Sequence, residues 1–323
     1  MNDTEFAYAV ANVRAKENEL LPLSFMDQLI NSGSYDNAKR ILVDKGFTRF
    51  ENISDPSDAL SDYMTNTWDY LMEISPDKDA LYFLIVKNDF HNLKSIIKGI
   101  VSNNDGRLYC IRPCIIDIDV MYDAVRNKKF DILPKWISTV AEKGYELLTS
   151  TMDGQIFDMY ADQSSLEAMI SFAYESGYGF SEEFSNTVAA LTDIKIALRM
   201  ADFSNNEALM EYAFCECDGI DTIALKKAVQ KGRDEVVSFI AGTEYADIAL
   251  KAFESVSDFE RECDNFLMNM LDNAKRVSFG IEPLIAYYYA RETEWKNLRI
   301  AVSAIHSGMS ADAVSERMRE LYV

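Results

Sequence analysis

The pattern of hydrophobic and polar residues is most regular over residues 281–323. Pro283 directly after Glu282 suits the first turn of a helix, where a missing N–H costs nothing and an acidic side chain interacts favourably with the helix dipole. Gly308 ends this predicted helix, and Ser310 caps a second one. The stripe along the first helix consists of Leu284, Tyr288, Arg291, Trp295, Leu298, Val302 and Ile305. The apolar face of the second helix consists of Val314, Met318 and Leu321. The segment therefore predicts a helical hairpin.

Helix signals of the same kind run through the rest of the chain. Ser75-Pro76 has the cap and first-turn residues of a long helix, Ser181 is a predicted cap after a turn, and Gly144 is a predicted helix end. Residues 147–151 and 156–160 are ambiguous, and a short strand or turn is an open alternative there. Only 13 Gly and 6 Pro interrupt the chain, which favours helices over a turn-rich β architecture. The predicted fold class is all-α.

A short pattern recurs in each third of the chain. An Asn or Asp precedes an aliphatic residue, a cation follows, and a second aliphatic residue comes three positions later. The first aliphatic residues are Leu93, Ile194 and Leu298, at intervals of 101 and 104 residues. A period this long predicts three similar helical lobes, with boundaries at 1–106, 107–218 and 219–323, and with the first and last helices packed together. The aliphatic pair is expected in each lobe core, and the cation, one step around the helix, is then free to face water or a central axis.

Charge excludes several kinds of partner. The 323 residues carry a formal net charge of −21, and the acidity is spread over all three thirds. Such a surface repels nucleic acid and anionic lipid heads, so neither is an expected partner. No apolar run reaches the length of a membrane span, and no secretory signal is present. The five cysteines are expected to be reduced thiols, most of them buried.

The inventory of reactive residues argues against catalysis. His91 and His306 are the two histidines, and neither accompanies a nucleophile motif. The pairs Cys110 with Cys114 and Cys215 with Cys217 have no further His or Cys at the sequence spacing of a zinc site. Asp117 and Asp119 are better explained as residues at the start of a helix than as ligands of a cation. The chain has no GxxxxGK[ST] sequence, so we expect it not to hydrolyse ATP itself. No catalytic residue, metal or cofactor is predicted.

Two features of residues 282–299 leave alternatives open. Arg291 is either a partly exposed cation whose stem covers apolar surface and whose charge pairs with Glu294 one turn on, or a desolvated cation that fixes the geometry of the lobe. Tyr287, Tyr288 and Tyr289 are either core residues or possible partner contacts. Three consecutive side chains point in three directions around a helix, so at least one tyrosine is expected to leave the core.

The same segment resembles a known family. The runs EPLIAYYYARETEWKNLR and RMRELYV are similar to the end of the C subunit of the V-type and A-type rotary ATPases (ATP synthases), which is related to the d subunit of the eukaryotic V-ATPase. Tyr8–Leu21 is similar, more weakly, to the family's opening helix. Tyr288, Tyr289 and Trp295 are bulkier than the family pattern, and Ser303, Ala304 and His306 replace a more basic turn. The family-motif positions singled out as structurally important are Glu282, Pro283, Arg291, Glu292, Glu294, Asn297, Leu298 and Arg299.

The resemblance implies a fold and a function. The fold would be three related helical lobes around a pseudo-threefold axis in a funnel-like body. The function would be that of a non-catalytic central-stalk adapter, which links the rotating shaft to the membrane proteolipid ring on the cytoplasmic side and transmits torque for proton or sodium transport coupled to ATP synthesis or hydrolysis. The alternative is an α-helical scaffold or protein-binding module without a rotary role. The sequence does not decide the transported ion or the direction of the reaction.

Overall fold

The computed structural model describes residues 3–323 except 54, 203–206, 250 and 252–254. About 75% of the chain is helical, and the described residues contain no β-strand. The predicted all-α class is therefore confirmed. Within the same residues, no helix combines the length and apolar character needed to cross a lipid bilayer.

Seventeen α-helices are described, numbered here in chain order. They are α1 Ala7–Lys16, α2 Leu23–Ile30, α3 Tyr35–Asp44, α4 Pro56–Ala59, α5 Tyr63–Ile74, α6 Val86–Val101, α7 Ile118–Arg126, α8 Lys135–Thr151, α9 Gly154–Ser176, α10 Gly179–Ala201, α11 Glu207–Met210, α12 Thr222–Lys231, α13 Arg233–Ala241, α14 Ala246–Ala249, α15 Val256–Leu271, α16 Glu282–His306 and α17 Ala311–Ser315. Short 3₁₀ segments lie between them, at Asp3–Phe6, Glu17–Glu19, Thr48–Glu51, Asp79–Leu84, Gly106–Tyr109, Phe130–Ile132 and Asp272–Arg276.

Several local predictions differ from the structure. Residues 147–151 and 156–160 are helical, in α8 and α9, with no strand. Gly144 lies inside α8 instead of ending it, because α9 packs closely there: a Cβ on Gly144 would lie 2.5 Å from Cε2 of Phe157. Ser181 is buried within α10 and does not cap it. The segment after Pro76 begins as a 3₁₀ turn, and α6 follows only at Val86.

The predicted hairpin at the end of the chain is half confirmed. α16 begins with Pro283 in its first turn, as predicted, and Gly308 has a φ of +74° just beyond its end. Ser310 accepts a hydrogen bond from the Ala313 N–H and so caps α17. However, α17 ends at Ser315, and Met318 and Leu321 lie in an irregular segment. In that segment, backbone groups bond instead to the side chains of Asn297 on α16 and Asn265 on α15.

The chain divides into two compact units. Unit 1 comprises Met1–Pro76 and Glu260–Val323, and unit 2 comprises Asp77–Phe259. Unit 1 is built around α16, which packs against α1, α2, α3 and α5. Its core joins residues from both ends of the sequence, including Leu29, Leu42 and Leu60 with Leu298 and Val302, all 0–1% exposed.

Unit 2 is built around α6, α9 and α10. α6 packs against α7, α8 and α9, and α10 packs against α9, α12 and α13. Phe83, Phe90 and Phe157, each 0–1% exposed, are among its largest buried side chains. Aromatic contacts continue this core: Trp136 meets Phe172 edge to face, with ring centroids 5.4 Å apart.

The recurring aliphatic pairs lie where the sequence predicts. All six residues are 0% exposed: Leu93, Ile97, Ile194, Leu198, Leu298 and Val302. They belong to α6, α10 and α16. α6 and α10 each pack against helices from the next third of the sequence. α16, in the last third, packs against helices from the first third. The division into lobes 1–106, 107–218 and 219–323 stays a prediction.

Candidate functional site

The predicted family-motif residues lie on α16, which is buried on most of its circumference. Pro283, Glu292, Glu294, Asn297 and Leu298 are all buried. A helix surrounded by protein must satisfy each of its polar side chains internally, because burying a polar group without a partner is costly. Two polar clusters on α16 do this within unit 1.

The first cluster is centred on Glu294, whose side chain is 3% exposed. Its Oε1 accepts a hydrogen bond from the Leu21 N–H, and its Oε2 accepts one from the Tyr63 hydroxyl. Arg291 donates from Nη1 to Oε2 at 3.1 Å. Burial raises the pKa of Glu294 above its ordinary value, although Arg291, Tyr63 and the Leu21 N–H act in the opposite direction. The carboxylate therefore joins α16 to α5 and to the chain between α1 and α2.

Arg291 has features of both interpretations made from sequence. It pairs with Glu294 one helical turn on, and its side chain is 18% exposed. Its guanidinium also lies 4.1 Å from the centroid of the Tyr63 ring, and its Nε donates to Thr67 Oγ1 at 3.4 Å. Because both aromatic and polar contacts are on α5, Arg291 links two helices of unit 1 and is more than a surface cation.

The second cluster was not predicted from sequence. Asp264 on α15 accepts from Nε of Arg319 at 2.9 Å and from Nζ of Lys296 at 3.4 Å. Nζ of Lys296 also lies 3.7 Å from Oε2 of Glu292. Burial lowers the pKa of Lys296, but Glu292 and Asp264 outweigh it, so the pKa is raised overall. These charges are far apart in sequence, at 264, 296 and 319, and only their basic or acidic character could have suggested a pairing.

Asn297 anchors the irregular end of the chain. Its Oδ1 accepts from the Arg319 N–H and its Nδ2 donates to the Arg319 carbonyl, both at 3.0 Å. Asn265 Oδ1 accepts from the Glu320 N–H at 2.9 Å in the same way. The neighbouring Arg299 is exposed and lies over the Trp295 ring, with 4.5 Å to its centroid. The cation of this repeat is therefore exposed, which is one of the two arrangements that the sequence left open.

The three consecutive tyrosines do not provide the predicted exposed contact. Tyr287, Tyr288 and Tyr289 are 4%, 2% and 5% exposed. Trp68 packs edge to face on Tyr288, and Tyr70 does so on Tyr287, with centroids 6.0 and 6.1 Å apart. The expectation that one tyrosine leaves the core is wrong, because α16 is covered on all three of the directions in which they point. None of them is accessible to a partner in this conformation.

The Asn or Asp of the sequence repeat has the same role in each third. Asn92 accepts from the Ile111 N–H at 2.7 Å and donates to the Ile111 carbonyl at 3.0 Å. Asp193 accepts from the Cys215 N–H at 3.0 Å. Each partner lies 19 to 22 residues downstream, as Arg319 does from Asn297. We call the irregular segments that these side chains hold the return segments; they are residues 110–116, 213–218 and 316–322.

The sequence repeat could have suggested this role, since it already contained the Asn or Asp. An interior amide or carboxyl one residue before a fully buried aliphatic position needs a partner, and an irregular segment supplies unpaired backbone groups. What the pattern could not give was the partner, which lies beyond the end of the helix in every case. The first two return segments run antiparallel to their helices: Asn88 donates to the Pro113 carbonyl at 2.7 Å, and Asn186 accepts from the Asp218 N–H at 2.8 Å.

A recess of about 590 Å³ opens in unit 1 beside the Glu294 cluster. Two of its three lining cations form ion pairs: Arg291 with Glu294, and Arg49 with Asp62. The third, Lys45, lies over the Phe25 ring, with Nζ 5.6 Å from the ring centroid. The lining residues are Asn18, Glu19, Leu21, Lys45, Gly46, Phe47, Thr48, Arg49, Ala59, Leu60, Asp62, Tyr63, Asn66 and Arg291.

The remaining reactive residues are dispersed. His91 is exposed and contacts the Tyr109 carbonyl at 3.0 Å, and His306 packs on the Tyr35 ring at the end of α16. Asp117 caps α7 by accepting from the N–H groups of Asp119 and Val120. All five cysteines are free thiols. In the part of the chain that the structure describes, no group of three or more His, Cys, Asp or Glu side chains is arranged to hold a metal ion.

Comparison with known proteins gives these features a context. The family model of the ATP synthase (C/AC39) subunit matches residues 9–317. The C subunit of the V-type sodium ATPase of Enterococcus hirae is 23% identical over 320 residues, covering 96% of this chain and 97% of that protein. The C subunit of the A-type ATP synthase of Methanocaldococcus jannaschii is 26% identical over 358 residues, covering 98% of this chain and 86% of that protein. Because the family model spans nearly the whole sequence, the chain belongs to the ATP synthase (C/AC39) subunit family.

Proposed function

We propose that this protein is the central-stalk adapter of a V/A-type rotary ATPase. It would link the rotating shaft to the membrane proteolipid ring and transmit torque for proton or sodium transport coupled to ATP synthesis or hydrolysis. The observation that carries the proposal is the match over 96–98% of the chain to proteins named as the C subunits of such ATPases. Nearly complete coverage of both partners in the alignment supports a shared role for the whole chain and not for a single module.

The polar architecture of unit 1 is consistent with a mechanical role. An adapter under torque must resist shear between its helices, and hydrogen bonds and ion pairs that cross from one helix to another oppose such sliding more directionally than apolar contacts do. Glu294 joins α16 to Leu21 and Tyr63, Asp264 joins α15 to residues before and after α17, and Asn297 holds Arg319. Charged groups that form such links are not available for catalysis.

The proposed partners and location follow from the same role. The partners are the shaft subunits and the proteolipid ring, and the protein is peripheral on the cytoplasmic face of the membrane. It has no catalytic residue and no cofactor of its own, so ATP would be hydrolysed or made by other subunits. We propose a protein–protein contact with the ring and no lipid insertion, which the net charge of −21 supports because such a surface is repelled by anionic lipid heads.

The test is affinity purification of the tagged full-length chain from membranes solubilised in mild detergent. We expect the proteolipid and the shaft subunits to copurify in fixed proportion with it. Omission of this chain from a reconstituted complex should leave ATP hydrolysis by the soluble sector intact while ion transport is lost. Transport that continues at the normal rate without the chain would refute the adapter role. Recovery of other proteins and of no ATPase subunit would instead favour the α-helical scaffold without a rotary role.

A further inference from the structure

The three repeat side chains that hold the return segments are not chemically equal. Asn92 and Asn297 each use both halves of their amide: the oxygen accepts from a backbone N–H, and the nitrogen donates to the carbonyl of the same residue. Asp193 is at the same place in the repeat and is 0% exposed. Its Oδ2 accepts from the Cys215 N–H at 3.0 Å, which corresponds to the amide oxygen of the two asparagines.

The other oxygen of Asp193 is anomalous for a carboxylate. Oδ1 is completely buried, and among the described residues no N–H or O–H group donates a hydrogen bond to it. In Asn92 and Asn297 the corresponding atom is the amide nitrogen, a donor aimed at the return segment. An ionised carboxylate can only accept hydrogen bonds. A protonated carboxyl group has an O–H donor at one oxygen and an acceptor at the other, and so resembles a side-chain amide, which has a donor at its nitrogen and an acceptor at its oxygen. A buried acceptor that receives no hydrogen bond destabilises the folded state.

We propose that Asp193 is a neutral carboxylic acid in the folded protein, that it holds residues 213–218 through an O–H donor on Oδ1 as an asparagine would, and that its ionisation releases this return segment. The inference does not depend on the proposed role in a rotary ATPase. On ionisation the proton passes to water, the Oδ1 donor is lost, and a negative charge remains in the core of unit 2. The other two repeats, which use asparagine, cannot be switched in this way.

The surroundings of Asp193 favour the neutral form. Burial raises its pKa to about 8, against the Cys215 N–H and the Lys226 ammonium, which lower it. Cys215 and Cys217 of the return segment face Asp193 as thiols, and burial raises the pKa of both above the ordinary range. Other charged groups around α10 act on other partners. Glu167 of α9 and Glu216 raise the pKa of the Cys215 thiol, and Asp218 raises that of the Cys217 thiol. Arg233 of α13 bonds to the Leu198 carbonyl and to Asp202.

Release of residues 213–218 has a structural consequence. Glu216, Cys217 and Asp218 form one wall of a groove of about 770 Å³ in unit 2, opposite residues of α9 such as Tyr174. Asn186, which accepts from the Asp218 N–H, and Gln163, which donates to the Phe214 carbonyl at 3.0 Å, are further polar contacts of this segment. Ionisation of Asp193 would therefore free the segment at Cys215, while these two contacts still hold Phe214 and Asp218.

The sign of the pH dependence follows from linkage. An unfolded Asp titrates near pH 3.9 and folded Asp193 near pH 8, so its neutral form contributes stability that is complete below about pH 4 and is lost as the pH rises towards about 8. Inside this window the opening equilibrium of residues 213–218 shifts by about tenfold per pH unit. An asparagine at this position has no such dependence.

Asp193→Asn is the direct test. Amide hydrogen exchange of residues 213–218 should be slower in Asp193→Asn than in the wild type, by a ratio that grows about tenfold per pH unit and levels off above about pH 8. The infrared difference spectrum between the two proteins at neutral pH should contain the C=O band of a protonated carboxylic acid. A variant that exchanges faster than the wild type at pH 7, or a difference spectrum with only carboxylate bands, would overturn the proposal.

A reciprocal variant separates the chemistry from the location. Asn92→Asp places a carboxyl group at the corresponding position in α6 and should make exchange of residues 110–116 pH-dependent in the same direction. Asp193→Ala removes both donor and acceptor, and it should accelerate exchange of residues 213–218 at every pH tested. If Asp193→Ala and the wild type have the same exchange rates at pH 5, Asp193 does not hold the segment and the proposal fails.

Discussion

The side chain of Asn297 holds the backbone of Arg319 with two hydrogen bonds, each 3.0 Å long, across 22 residues of sequence. This pair closes the last part of the chain onto α16 after α17 has ended. The same relationship joins Asn92 to Ile111 and, with one hydrogen bond, Asp193 to Cys215. The recurrence at three sites supports the three-lobe hypothesis, since an irregular segment held in the same way three times is not required by any single helix.

Asn297→Ala should destabilise unit 1 by about 1–3 kcal/mol, because it removes the partner of the partly buried N–H and carbonyl of Arg319. The measurement is urea denaturation followed by circular dichroism. Asn12→Ala is the matched control, since Asn12 is bonded only to the Tyr8 carbonyl of its own helix. Equal shifts of the denaturation midpoint for the two variants would mean that the Asn297 pair contributes no more than a surface hydrogen bond.

Arg291→Ala should lower the free energy of unfolding by about 2 kcal/mol. The change removes the cation from Glu294, which is 3% exposed, and the cation–π contact with Tyr63. The loss is smaller than for a carboxylate with no other partner, because the Leu21 N–H and the Tyr63 hydroxyl remain. Thermal denaturation of this variant is compared with Lys87→Ala, an exposed cation on α6. A midpoint for Arg291→Ala as high as that for Lys87→Ala would show that Arg291 is not an interior link.

Arg319→Ala and Arg317→Ala form a matched pair in the same return segment. Arg319 is 18% exposed and donates to Asp264, whereas Arg317 is exposed and contacts only the sulfur of Met309, at 3.7 Å. Loss of the Arg319 guanidinium removes the 2.9 Å ion pair with Asp264, which should cost about 2 kcal/mol in the free energy of unfolding. Arg317→Ala should change it by less than about 0.5 kcal/mol. A reversed order in urea denaturation would contradict the assigned network.

Asp89→Asn should destabilise unit 2 by about 1–3 kcal/mol, the opposite of the effect expected for Asp193→Asn. Both oxygens of Asp89 accept hydrogen bonds from backbone N–H groups, of Ile115 at 2.9 Å and of Ile116 at 2.8 Å. In the variant, the amide nitrogen would replace one of these oxygens and would face a backbone N–H, so that two donors meet. The contrast between two buried Asp→Asn changes, one destabilising and one stabilising, can be measured in a single series of urea titrations at pH 7. Two shifts of the same sign would contradict the hydrogen-bond assignment of one of them.

Asp89 also has a pH dependence of its own. Burial raises its pKa to about 6 despite the two N–H donors. Since this is above the unfolded value near 3.9, the neutral form contributes stability that is complete below about pH 4 and is lost as the pH rises through about 6. The wild type should therefore lose stability between pH 4 and 6, and Asp89→Asn should lose less over that interval. An unchanged slope in the variant would exclude Asp89 as the group responsible.

The sequence by itself determined the fold class, the family and the positions of the core. Helix caps, low glycine content and spacing at three and four residues are local signals, so α16 and its first-turn Pro283 could be predicted directly. The recurring aliphatic pairs were also predictable, since a hydrophobic residue at a helical repeat position is buried whatever helix covers it. The family followed from residues 282–323, where the pattern is specific enough to be distinguished from other helices.

Only the tertiary structure decided what surrounds α16 and where its polar groups bind. The sequence predicted an apolar stripe and at least one exposed tyrosine, but helices from both ends of the chain cover this helix and bury Tyr287, Tyr288 and Tyr289. Asn297 and one oxygen of Glu294 bond to backbone groups, at Arg319 and Leu21, which carry no side-chain signal in the sequence. Burial on a second face and bonding to backbone both depend on which segments fold against one another, and that is a property of the whole chain and not of local spacing.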